Sequence, residues 1–306
     1  MKRNYTLYTC LLVIIYSLVL SGCTSKHVSD KKIIFVSIAP QRYFVQAITK
    51  DDFRIYTMIG PGENPETYDP SPTQMVLLAQ AKAYFRIGYI PFETSWMHRI
   101  QKNAPTLPIY DMSTGIVPLK LHQSEEDAHH HNIDPHIWLS CKNAQKIARY
   151  TVDALCQLVP EKKALYTQRY DSLNNEIMRV DRLIQKQVVQ LPQAYKQFLI
   201  YHPALSYYAE EYGLHQIEIA HLGKSPTPSQ LQSVIDTGKA NDIRVILVQE
   251  EFDKRQAKSI AGMLNASVHN IYPLSEDWSN SMLHVVHCLQ KAALSNSQTK
   301  EEKKNE

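Results

Sequence analysis

The sequence predicts an α/β protein of two Rossmann-like lobes, each built on a parallel sheet, joined by one long rigid helix, with a ligand cleft between the lobes. Three observations predict it. Short apolar, strand-like segments alternate with helix-patterned ones through the first half of the chain, as parallel βαβ units require. The same alternation returns in the second half. Between the halves runs the longest helical pattern, in which Tyr166, Tyr170, Leu173, Ile177, Val180, Ile184 and Val188 recur at spacings of three and four with charged residues on the other face.

The N-terminus sets the compartment. Lys2 and Arg3 precede an apolar run at 11–20 that is too short to remain as a membrane-spanning helix, which reads as a secretion signal. Leu20-Ser21-Gly22-Cys23 has the form of a lipoprotein cleavage box: small residues let the peptidase approach and the Cys23 thiol takes the lipid. Residues 1–22 are therefore expected to be a signal peptide and 23–31 a short polar tether. The product is a soluble body held to a bacterial membrane, on its periplasmic or extracytoplasmic face.

The first lobe is expected at 32–158, with strands at 33–38, 56–59 and 84–87 and helices near 43–49 and 72–81. The linking segment, 159–191, holds the long helix at about 161–190; Pro160 suits its first turn and Pro192 its stop. The second lobe, 192–296, repeats the plan with strands at 198–201, 216–219, 245–248 and 268–271 and helices near 205–212, 228–239 and 255–264. A charged tail at 297–306 is expected to be disordered. Ligands of such folds lie at the C-terminal ends of the strands, here between the lobes.

Composition narrows the function. The net charge of +3 over 306 residues, with basic and acidic residues interleaved, gives no nucleic-acid surface. No apolar segment after the signal could cross a membrane. Beyond Cys10 and Cys23 the cysteines are Cys141, Cys156 and Cys288, with no CxxC, so a thiolate zinc site is not expected. Cys156 and Cys288 read as buried small hydrophobes.

One stretch carries chemistry. Residues 121–140 read LHQSEEDAHHHNIDPHIWLS, and imidazoles flanked by carboxylates are ligands for a borderline ion such as Zn²⁺. His122, His129, His130 and His131, with Glu125, Glu126 and Asp127, form a candidate secondary metal loop. Such a loop on a surface-tethered protein points to metal capture outside the cytoplasm.

Four segments resemble the metal-binding receptors of bacterial ABC importers for zinc and manganese. Gly62-Glu63-Asn64-Pro65-Glu66-Thr67-Tyr68-Asp69-Pro70-Ser71-Pro72 is similar to the family's first ligand loop, and Asp134-Pro135-His136-Ile137-Trp138-Leu139 to its D-P-H-x-W segment. Tyr201-His202-Pro203-Ala204 with 207–214 resembles the third, and the histidine-rich insertion just before the second resembles the loop of the zinc-type members, while Tyr272-Pro273-Leu274 stands where a D-P-L segment is usual. The resemblance implies metal ligands Glu66, His136 and His202, with Asp134 as an acceptor behind an imidazole. It also implies delivery of the ion to a permease driven by an ATPase subunit, by a monomer that uses no nucleic acid.

The chain departs from the family pattern twice. Glu66 replaces the usual histidine, a harder oxygen donor. Tyr272 replaces the usual aspartate, so the fourth ligand is sought at Glu250, Glu251 or the nearby Glu276 and Asp277, or is water. Two imidazoles with carboxylates suit Mn²⁺ or Fe²⁺ about as well as Zn²⁺, and the histidine loop tips the expectation to Zn²⁺. As single residues, His136 could instead be a helix-start imidazole bonded to Asp134, and His202 a core imidazole. His215 and His221 read as surface or supporting residues. A zinc hydrolase shares the two-histidine, one-carboxylate set, but no H-E-x-x-H or paired nucleophile and base is present, and an enzyme is not expected. An adhesin on the same fold is the remaining alternative.

Overall fold

The computed structural model describes residues 32–120, 133–220, 226–252 and 254–302, with side chains as far as 295. The signal, the tether, Cys23, His122, His129, His130, His131 and His221 lie outside these residues. The described residues cluster as one compact unit.

Two all-parallel sheets form as expected. The first holds β1 (Ile33–Val36), β2 (Arg54–Thr57), β3 (Ala83–Arg86) and β4 (Ile109–Asp111) in the order β2-β1-β3-β4. The second holds β5 (Gln197–Ile200), β6 (His215–Glu218), β7 (Val245–Gln249) and β8 (Ser267–Ile271) in the equivalent order β6-β5-β7-β8. Each order reverses direction after its first strand, so a crevice opens at the C-terminal ends of β1 and β3 in one sheet and of β5 and β7 in the other. The central strands are buried on both faces; Val245, Ile246, Leu247 and Val248 have no exposed surface.

Helices cover the sheets: α1 (Ala39–Thr49), α2 (Pro72–Ala79), α3 (Pro91–Asn103), α4 (Cys141–Leu158), α5 (Lys163–Val189), α6 (Ser206–Tyr212), α7 (Pro228–Ala240), α8 (Lys254–Leu264) and α9 (Trp278–Glu302). Several starts are written in the sequence. Pro72 and Pro228 occupy first-turn positions, and Ser71 and Thr227 cap the same helices in reciprocal boxes with Gln74 and Gln230. The segment expected to be a loose tail is helical as far as Glu302, because α9 continues through it.

The linking helix α5 buries the predicted stripe: Tyr166, Leu173, Ile177, Val180, Ile184 and Val188. Pro160 sits in a short 3₁₀ turn, Pro160–Lys162, just before it. Its ends are tied to different lobes. Tyr166 donates to Asp52 at 2.9 Å, beside β2, and Asp181 accepts from Tyr212 of α6 at 2.9 Å. One core runs continuously from the first sheet through α5 to α6 and α9, and a second, smaller core lies against the outer face of the second sheet. The lobes therefore share packing instead of meeting only at a linker. Two tryptophans tighten the junction: Trp138 donates its Nε1–H to the Pro273 carbonyl, and Trp278 donates its own to the Trp138 carbonyl, each at 2.8 Å.

Candidate functional site

Three side chains converge where the strand ends of both sheets face each other. Glu66 comes from the loop between β2 and α2. A positive φ at Gly62 turns the chain, and the Glu66 amide donates to the Asn64 side chain at 2.9 Å, folding the loop back on itself. Behind it Tyr68 is buried against Phe92 and donates to Gln74, whose amide reaches the Met58 carbonyl.

His136 precedes a 3₁₀ turn, Ile137–Leu139, and the N-cap of α4, where Ser140 accepts from the Asn143 amide. Asp134, fully buried, accepts from both the His136 amide, at 2.9 Å, and His136 Nδ1, at 2.8 Å. Burial alone would raise the Asp134 carboxyl, but the neighbouring His136 and the bonds it accepts outweigh burial and hold it below the ordinary carboxylate range. The ionised carboxylate retains the proton on Nδ1, which leaves the Nε2 lone pair free to ligate. The bonded pair sequence reading raised as a rival to ligation is thus compatible with it.

His202 follows the C-terminal end of β5. Gln249, at the end of β7 and almost fully buried, clamps it: the His202 amide donates to Gln249 Oε1, and Gln249 Nε2 donates to the His202 carbonyl. Phe252 stacks on the imidazole, with centroids 5.4 Å apart. His202 is 7% exposed, and burial, followed by the facing His136, pushes its pKa down to about 3. It is a neutral imidazole at any physiological pH.

The distances are those of an ion's coordination edges. His136 Nε2 and His202 Nε2 are 3.3 Å apart, and His202 Nε2 and Glu66 Oε1 are 3.5 Å apart. Two nitrogens bound about 2.05 Å from one zinc ion at tetrahedral angles stand about 3.3 Å from each other, and a carboxylate oxygen stands slightly farther. Among the described residues, no three His, Cys, Asp or Glu side chains yet enclose one such point. The donors meet in pairs with His202 in the middle, so enclosing an ion requires Glu66 to close toward both imidazoles. Burial raises the Glu66 carboxyl, and His136 opposes that shift.

The three donors line a cavity of about 40 Å³, together with Glu251 and the apolar walls Ile90, Trp138, Phe252 and Leu274. Organic ligands occupy roughly 300–1,000 Å³ and one water roughly 30 Å³ of liquid, so this space suits an ion. On their other side the same three residues border a wider cavity of about 470 Å³ reached by Lys120, Glu210, His215 and Glu218.

The remaining predicted donors separate. Glu251 lines the small cavity, and burial raises its carboxyl. Glu250 is exposed and borders only a second pocket, with Ile59 and Tyr272, which Glu251 also lines. Glu276 pairs with Arg42 at 3.3 Å, and Asp277 accepts from Asn280, so both are engaged elsewhere. Tyr272 is 38% exposed, while Pro273 and Leu274 after it line the cavity.

Two contributors escaped sequence reading. Gln249 is one; its place at the last residue of a fully buried strand is the available signal. The Ile90–Pro91 wall was missed with α3. There the wholly buried Glu93 carboxylate accepts from the Ile87 and Gly88 amides, at 2.6 and 2.7 Å, and from Arg86, fixing the turn that presents Ile90. Gly88, with φ of 122°, is required there because a Cβ would come within 2.5 Å of Ser113.

Comparison with known proteins finds the same fold in solved structures. The family model described as zinc-uptake complex component A, periplasmic, matches residues 34–292. A crystal structure of ZnuA, 30% identical, superposes with a TM-score of 0.80 over 86% of this chain and 100% of its own. The periplasmic zinc-binding protein TroA of Treponema pallidum, 16% identical, shares the fold, with a TM-score of 0.77 over 86% of this chain and 99% of its own. The zinc-binding lipoprotein AdcA of Streptococcus pneumoniae serotype 4 is 24% identical over 86% of this chain, which spans 54% of AdcA.

Proposed function

The chain belongs to the family of periplasmic zinc-uptake complex components A, and from that premise we propose that it captures Zn²⁺ outside the cytoplasm and delivers it to the permease of an ABC importer. Glu66, His136 and His202 bind the ion, Glu251 or a water completes the shell, and Asp134 orients His136. Cys23 carries the lipid that holds the protein to the membrane, and the histidine loop with His122, His129, His130 and His131 collects ions near the cleft. The protein acts as a monomer and catalyses no reaction; the ATPase subunit of the importer supplies the energy.

The single observation that carries the reading is the 3.3 Å approach of two imidazole nitrogens, one buried and neutral, the other oriented by a carboxylate. A neutral imidazole and a carboxylate-oriented one in a cavity of about 40 Å³ are a donor pair for a borderline dication. A manganese receptor is the second reading, favoured by the oxygen donor Glu66 where the related motif has an imidazole.

Calorimetric titration of the chelator-stripped protein with Zn²⁺ and with Mn²⁺ tests both. Tight one-to-one Zn²⁺ binding that is lost in the His136→Ala/His202→Ala variant, with weak Mn²⁺ binding, is the expected result. Preference for Mn²⁺ transfers the reading to manganese, and a variant that binds as the wild type does removes the cleft from the proposal.

A further inference from the structure

On the far side of β8 from the cleft, a second group of soft and borderline donors gathers. His284 and Cys288 of α9 are four residues apart, one above the other on a single helix face. Cys288 Sγ lies 3.4 Å from His284 Nε2. A thiolate at about 2.3 Å and an imidazole at about 2.05 Å from one tetrahedral zinc ion stand about 3.5 Å apart. His269, on β8, and His287, a turn from His284, border the same groove, a cavity of about 330 Å³. Cys288 is 4% exposed and His284 half-buried, with Tyr272 packed on the imidazole at 5.3 Å.

We propose that His284 and Cys288, with His269 of β8, form a second metal site, outside the cleft, for a thiophilic dication of the Zn²⁺ class. Thiolate and imidazole donors select such an ion over Mn²⁺, the reverse of what Glu66 does in the cleft. The absence of CxxC had argued against thiolate coordination; one helical turn between a histidine and a cysteine supplies the same convergence.

At present His284 Nε2 approaches the Asn270 carbonyl at 3.0 Å, and the Cys288 thiol donates to that carbonyl at 3.5 Å. The incoming ion takes the place of the thiol proton, which leaves to solvent, and the sulfur–metal bond forms in its stead. Burial holds the free thiol up at about 11, opposed by Lys291, so the proton must be displaced. Lys291 also borders the groove, and the thiolate charge offsets it. His269 borders the same groove from β8 with its Nε2 2.9 Å from Ser267 Oγ; among the described residues the three donors do not yet enclose one point, so His269 must leave Ser267 and turn toward the pair to complete the set.

Co²⁺ titration of the full chain, in detergent, chelator-stripped and with thiols reduced, separates the two sites, because the cleft contains only oxygen and nitrogen donors. The expected result is a near-ultraviolet sulfur-to-cobalt charge-transfer band that grows with one equivalent of Co²⁺ and persists in His136→Ala/His202→Ala. Cys288→Ser should abolish the band and leave cleft binding intact, which also certifies folding. His284→Gln should shift its half-saturation by roughly tenfold or more. A wild type without the band, a band that survives Cys288→Ser, or a band lost with the cleft histidines overturns the proposal.

Discussion

His136 Nδ1 lies 2.8 Å from a carboxylate oxygen of Asp134 that is fully shielded from solvent. Because the same oxygen also accepts the His136 amide, the ring is held in both tautomer and direction before any ion arrives. Asp134→Asn keeps an acceptor but removes the charge that strengthens the imidazole as a donor. Zn²⁺ affinity should fall about 10–100-fold by competition with a chelating dye, and a variant that binds as the wild type does would detach Asp134 from the site.

The depressed pKa of His202 couples stability to pH. Its folded value of about 3 lies below the ordinary 6.5, so between those values the unfolded chain binds a proton that the folded chain refuses. Stability therefore rises with pH through this window and is lost as pH falls from about 6.5 toward 3. Thermal melts of the metal-free protein should show a decline over that range that is shallower in His202→Gln. Identical slopes in the two proteins would mean that His202 titrates normally.

Glu66 makes the cleft oxygen-rich for a zinc receptor. Glu66→His replaces a hard donor with a borderline one, and the ratio of Zn²⁺ to Mn²⁺ affinity should rise, chiefly by weaker Mn²⁺ binding. Competition titrations with both ions read this ratio directly, and an unchanged ratio would place Glu66 outside the coordination shell.

Two adjacent glutamates offer a controlled comparison. Glu251 lines the cavity with the imidazoles as well as the neighbouring pocket, whereas Glu250 is exposed and borders only that neighbouring pocket. Glu251→Gln should weaken Zn²⁺ binding measured by calorimetry and Glu250→Gln should leave it unaltered. Equal effects from both would indicate action through overall charge, not ligation.

The elements that were legible in the chain are those with a local cause. The stripe from Tyr166 to Val188 buries as its spacing predicts, because side chains three and four apart share one helix face whatever surrounds them. Seven strands fall within two residues of their expected places, and the helices opened by Pro72 and Pro228 begin at those residues, whereas the three-residue edge strand β4 was not expected. Helix α4 was not read although Ile147, Val152 and Leu155 lie on its buried face, because the small residues Ala144, Ala148, Thr151 and Ala154 between them dilute the apolar pattern. Helix α3 escaped for a related reason: only Phe92, Glu93 and Ile100 are buried on it.

Sequence by itself determined the two-lobed parallel architecture, the linking helix and the residue types able to hold a metal, since periodicity, capping and donor chemistry are properties of neighbours along the chain. Only the tertiary structure decided that Glu66, His136 and His202 meet within 3.5 Å along the pairs Glu66–His202 and His202–His136, that Glu251 and not Glu250 faces them, and that Gln249 clamps His202. Those relationships arise where loops from separate strands are brought together by sheet order and a shared core, and the direction a side chain takes there depends on long-range packing that local spacing does not encode.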